Sequence, residues 1–139
     1  MTTKRITTVL AVLGGLFLLY IGIGYLAAPQ SMAEGFGLTT ITGDEGTGFL
    51  RVKGDRDVTL GLVIFALLFA GQRKALGWAM AAMTVAPLSD MLLVLDEGSA
   101  ATAFSVHGSA AVVVALTAGL LLRERADAPQ TAAPQTAAA

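Results

Sequence analysis

The stretch ITTVLAVLGGLFLLYIGIGYLAA, Ile6 to Ala28, carries no charged residue and decides how the rest of the chain is read. About 20 residues at ~1.5 Å each cross the hydrocarbon core of a bilayer, so this stretch predicts a transmembrane helix. Lys4 and Arg5 ahead of it also fit the positive region of a secretory signal peptide. The cleavage site such a peptide needs is poor, because Leu26-Ala27-Ala28-Pro29 lacks small residues at both key positions and places proline after the cut. The helix is expected to be retained. The composition agrees with a membrane setting. Only 14% of the residues are charged and 55% are hydrophobic, against a charged share of about 25% in soluble domains. A chain this short has too few polar residues to coat so apolar an interior. A net charge of -1, without a basic block, removes the electrostatic footprint of a nucleic-acid binder. The absence of cysteine excludes disulfides, thiolate metal sites and cysteine nucleophiles.

Three further helices follow from the remaining apolar runs. The uncharged run from Val58 to Gln72 is too short to span alone, so it must extend back through Gly54-Asp55-Arg56-Asp57. The next run is broken by Pro87 and Asp90, and the last has His107 as its only ionisable group. The expectation is an all-α, antiparallel four-helix transmembrane bundle over residues 1–125, with helices at about 6–28, 50–71, 75–95 and 101–122. Residues 29–48 form an outer loop holding a short interfacial helix. Residues 126–139, an Ala/Pro/Gln/Thr tail that repeats Ala-Pro-Gln-Thr-Ala, have nothing to bury and are expected to be disordered. Lys4 and Arg5, Arg73 and Lys74, and Arg123 and Arg125 fall at alternate helix ends, opposite Asp96 and Glu97. By the positive-inside rule both termini are cytoplasmic, in a multi-pass cell-membrane protein. Arg51, Lys53 and Arg56, interleaved with Asp55 and Asp57, read as the paired polar end of the second helix.

Ionisable side chains inside a membrane cost roughly 2.5 to 3.5 kcal/mol each on insertion scales, so each needs a partner or a purpose. Counting from the cytoplasmic helix ends at ~1.5 Å per residue places Tyr20 and Asp57 at about 21 Å, and Asp90 and His107 at about 22 Å. Every helix therefore contributes a polar residue at one level in the outer half of the bilayer. Asp57 shares a face with Gly54 and Gly61, and His107 with Ala103, Ala110 and Ala111, so small residues mark these faces as helix contacts. Pro87 cannot donate to the carbonyl of Met83 and is expected to kink the helix before Asp90.

Two functions fit this layer. In the first, it binds a small lipophilic molecule or acts on it by proton transfer. His107 then moves the proton, Asp90 or Asp57 sets its tautomer and charge, Arg56 holds an oxygen, and Tyr20 and Gly54 line the edge. In the second, the layer is polar glue within a non-catalytic membrane subunit that binds lipid, a protein partner or further copies of itself. A single layer argues against a continuous ion path, which needs polar groups at several depths. One histidine with scattered carboxylates is too few ligands for zinc, no nucleotide loop or other cofactor motif is present, and no nucleophile elbow supports a serine triad.

Ala28-Pro29, Gly35-Phe36-Gly37, Lys53-Gly54-Asp55-Arg56-Asp57 with Gly61, Pro87-Leu88-Ser89-Asp90-Met91 and His107-Gly108 occur in this order. Together they resemble domain of unknown function 4267, a family of small four-helix membrane proteins, over roughly Ile6 to Leu122. The resemblance implies that fold, with Gly54, Arg56, Asp57, Asp90 and His107 at the family's polar motif positions. It implies no activity.

Overall fold

A computed structural model describes residues 2–38 and 43–124, and the regular structure among them is entirely helical. The expected disordered tail lies outside the described residues. Helix α1 (Thr2–Ala27) runs through the long apolar stretch and stops just before Pro29. The proline excludes Ala28 from the helical region, and that residue lies at φ -140 and ψ 64. Pro29 then occupies the first turn of α2 (Pro29–Phe36), where its missing N–H costs nothing. Gly37 closes α2 in the left-handed region at φ 105, and the amides of Gly37 and Leu38 both bond the Ala33 carbonyl. This is the short helix expected in the outer loop.

Helix α3 (Gly43–Phe69) begins well before the boundary expected at residue 50. The glycine-rich run Gly43 to Gly48 reads as loop by composition, yet Asp44 and Glu45 sit in the first turn, where they oppose the helix dipole. The Gln30 side-chain amide also donates to the Thr47 hydroxyl at 2.6 Å, fastening this turn to α2. Gly71, at φ 69, makes the tight turn into α4 (Arg73–Met83). The regular bonding is interrupted at Thr84, which stays right-handed at φ -62 and ψ -24, and the helix continues as α5 (Val85–Glu97). The interruption lies one turn before Pro87, which has no N–H to donate to the Met83 carbonyl. The last segment consists of α6 (Ala100–Thr102), a π-helical turn (Ala103–Gly108) and α7 (Ser109–Arg123).

Glycines fix how the helices pair. A Cβ on Gly54 would stand 2.8 Å from the Gly22 carbonyl oxygen, and one on Gly61 would stand 3.0 Å from that of Gly15. Thus α1 and α3 run antiparallel in backbone contact. Gly77 lies against Leu121 and Leu122, and Gly108 against Met91, so α4–α5 runs antiparallel to the segment from Ala100 to Arg123. The two pairs meet on a shared apolar core of Ala11, Ile64, Leu76, Met80, Ala118 and Leu121. A second, smaller core of Tyr25, Ala33 and Leu50 joins α1, α2 and α3 at the far end.

Three helical segments, Thr3–Ala27, Arg73–Glu97 and Ala100–Arg123, are long and apolar enough to cross a membrane. Helix α3 matches them in length but carries Asp44, Glu45, Arg51, Lys53, Asp55, Arg56 and Asp57 in its first fifteen residues. Outward-facing Leu13, Phe17, Leu92, Val112 and Leu116 are more than half exposed. Water would be a costly medium for such a surface, and lipid is a natural one.

Candidate functional site

At the far end of the molecule, five ionisable side chains from four segments gather beneath α2. Helix α3 supplies Lys53 and Asp57, which lie one turn apart and form an ion pair at 2.9 Å. The ammonium also sits 5.2 Å from the centre of the Tyr25 ring and 5.4 Å from that of Phe36. A cation over aromatic faces gains where water is scarce. Tyr25 is 1% exposed, and its hydroxyl donates to the Met32 carbonyl at 3.4 Å. Asp90 on α5 lies close enough to Lys53, His107 and Asp57 for all three to act on its charge.

His107 lies in the π-helical turn and is only 6% exposed. Such turns insert an extra residue into a helix and recur at functional sites. Here the turn keeps Ala103, His107 and Ala111 on the buried side of their segment. The His107 Nε2 bonds the Phe36 carbonyl at 2.9 Å, and the two rings lie 4.3 Å apart at 56°. A carbonyl oxygen only accepts, so Nε2 carries a proton, and in the neutral ring Nδ1 is the acceptor. A backbone carbonyl from α2 thus fixes the tautomer, a role the sequence assigned to a carboxylate.

Three of the expected site residues, Asp57, Asp90 and His107, come together. Gly54 is buried beside them, where its missing side chain admits α1. Tyr20 and Arg56 do not join them. Tyr20 is 69% exposed, because the buried stripe of α1 runs through Thr7, Ala11, Gly15, Gly22 and Tyr25. Tyr20 and Tyr25 differ by five residues, a turn of about 140° around the helix. Depth and the small Gly24 one turn on point to Tyr20, but the buried stripe reaches Tyr25. Arg56 is exposed for a similar reason, since the residue one full turn from Asp57 is Lys53, while Arg56 points about 100° away. Lys53 therefore neutralises Asp57 in place of Arg56. Phe36 gave no ionisable signal at all, because its carbonyl and ring do the work.

Two shallow grooves lie apart from this cluster, on the outward face of α3, lined by Val52, Asp55, Arg56, Thr59 and Leu60 and by Glu45, Gly48, Phe49 and Val52. Among the described residues no three His, Cys, Asp or Glu side chains converge as metal ligands.

A second polar cluster occupies the opposite end, where α1 begins and α7 closes. The Arg73 Nη2 donates to Glu124 Oε1 at 2.8 Å and to the Thr7 hydroxyl at 2.6 Å, and Nη1 donates to Thr8 at 3.1 Å. The Arg73 Nε donates to the other Glu124 oxygen, and the Thr7 hydroxyl donates to Glu124 as well. The arrangement is a structural clasp joining α1, α4 and the end of α7.

Compared with known families, residues 15–121 match the sequence profile described as "Domain of unknown function (DUF4267)". No curated protein and no solved structure matches the chain.

Proposed function

The chain belongs to the DUF4267 family, and we propose that it is a four-span membrane protein whose polar cluster binds a small lipophilic molecule through an oxygen-bearing head. The observation carrying this reading is the meeting of Lys53, Asp57, Asp90, His107 and Tyr25 under a helix that is not itself a span. A purely structural layer would need one ion pair. This one adds a second carboxylate and a histidine whose tautomer is set. His107 Nδ1 is the proton acceptor, Asp90 and Asp57 stabilise the imidazolium that forms, and Lys53 or Tyr25 bonds the oxygen of the molecule. Helix α2 covers the site, so entry proceeds from the outer leaflet as α2 lifts.

The measurement is thermal unfolding in mild detergent, with and without extracted native lipids, for the wild type and for His107→Ala and Asp90→Asn. A lipid fraction is expected to stabilise the wild type, by about 2.7 kcal/mol at a hundredfold excess over its Kd. Both variants should fold and lose that stabilisation. If both variants simply melt earlier and no fraction stabilises the wild type, the cluster is glue. That second reading, a non-catalytic subunit or scaffold, has its own support: among the described residues no buried side-chain nitrogen or oxygen lacks a hydrogen-bond partner.

In the proposed topology α1, α3, α4–α5 and the segment from Ala100 to Arg123 each span the bilayer, with both termini in the cytoplasm. Lys4, Arg73, Lys74 and Arg123 at one end support it. A reporter inserted at Arg73 or fused after Arg125 should read cytoplasm, and one at Gly98 should read outside. A reversed pattern would move the site to the inner leaflet.

A further inference from the structure

We propose that two copies of this chain pair in the membrane through the outward face of α3, with the helices side by side and parallel, Arg56 of each copy bonding Asp55 of the other. The opposite face of α3 is taken, since Gly54 and Gly61 lie against the backbone of α1. On the outward side, Phe49, Val52, Arg56, Thr59, Val63 and Ala66 are all exposed. Their spacing alternates three and four residues, which is the seam of a left-handed helix pair. Thr59 and Ala66 are small enough for the close approach that membrane helix pairs use.

Charge names the occupant. Lys53 is committed to Asp57, but Asp55 and Arg56 form no ion pair among the described residues. They are neighbours in sequence, so they diverge around the helix and cannot bond each other well. Arg56 has only Val52 and Leu60 four residues away on either side. Arg51 stands one turn from Asp55 and does not pair with it. In the proposed topology Arg56 lies about 20 Å from the cytoplasmic end of α3, inside a core about 30 Å thick, where unpaired charges of either sign are costly. A lipid phosphate would serve Arg56 and repel Asp55. A second copy related by a twofold axis along the membrane normal serves both, because the seam sets residue 56 of one helix beside residue 55 of the other.

The chain has no cysteine, so one introduced cysteine reports its own neighbour. Oxidation of Thr59→Cys in native membranes is expected to give a disulfide-linked dimer, while Leu13→Cys on α1 and Leu116→Cys on α7, which are also exposed positions, give none. On the Thr59→Cys background, Asp55→Arg and Arg56→Asp should each lower the crosslink roughly tenfold by setting like charges across the seam. Co-expressing those two variants should restore it, because each chain supplies the charges the other lacks. Equal crosslinking at all three cysteine positions, no dimer at Thr59→Cys, charge variants that crosslink like the parent, or a mixture that stays uncrosslinked would each overturn the proposal. No residue of the polar cluster is altered, so the result stands apart from the ligand reading.

Discussion

Replacing Gly54 by alanine is expected to cost about 2–3 kcal/mol, at the upper end for one added methyl in a packed interior. The reason is what the methyl meets. Its nearest neighbours are the Gly22 carbonyl oxygen at 2.8 Å and the Tyr25 Cβ at 3.0 Å. A flexible side-chain tip could swing aside, but a backbone oxygen moves only if α1 moves with it. Gly22→Ala meets the same seam from the other side, with the Val58 amide at 2.7 Å and the Gly54 oxygen at 2.8 Å. The two substitutions displace the same helix, so the double variant should lose less than the sum of the singles. Gly35→Ala supplies the control. Nothing lies within 4 Å of its added carbon, and alanine is the better helix former inside α2, so it should gain about 0.5–1 kcal/mol. Thermal unfolding in detergent reads all four. If Gly54→Ala melts with the wild type, α1 and α3 are not in backbone contact, and the position of Asp57 relative to Tyr25 falls with that contact.

The same seam marks where sequence reasoning reaches and where it stops. Uncharged length marks α1, the Gly71 turn separates α3 from α4, and Pro87 lies one turn after the interruption at Thr84. Glycine spacing correctly turned Asp57 inward, and the alanines around His107 did the same there. Helix α3 started early because a glycine-rich run with Asp44 and Glu45 reads as loop by composition, while its helical state depends on the tie to α2 through Gln30. Depth and Gly24 point to Tyr20, whereas the stripe of Ala11, Gly15 and Gly22 continues to Tyr25 three residues on. Arg56 is next to Asp57 in sequence, but the residue a full helical turn away, Lys53, is the one that pairs with it. In both cases rotation about the helix, and not rise along it, decides which side chain faces the cluster. The π-helical turn and the Phe36 carbonyl were not legible, because neither is written in side-chain chemistry. One is a backbone register and the other a tertiary contact across more than seventy residues.

The opposite end carries the other large effect. Arg73→Ala is expected to cost about 2–4 kcal/mol, slightly below the 3–5 that follows the breaking of a fully buried pair. Arg73 retains 24% exposure, but its partner Glu124 keeps only 6%. The loss leaves a carboxylate with only the Thr7 hydroxyl bond and the charge of Lys4 in place of the guanidinium. Replacing both residues by apolar ones of similar size, Arg73→Met with Glu124→Leu, should recover most of that loss, since the desolvation of both charges disappears with them. Glu124 also gives the clasp a pH dependence. The Arg73 hydrogen bond holds its carboxyl below the ordinary value of 4.5, and the Thr7 hydroxyl adds to this. A carboxyl depressed in the folded state binds protons more readily when unfolded, so its contribution is complete above pH 4.5 and is lost as the pH falls through the depressed value. Melting temperature should therefore drop in the wild type below that point. Glu124→Gln, lower at neutral pH, should lack this part of the fall. Parallel acid profiles for the two proteins would mean that Glu124 does not hold α1, α4 and α7 together, and that the apolar core between the two polar ends does so alone.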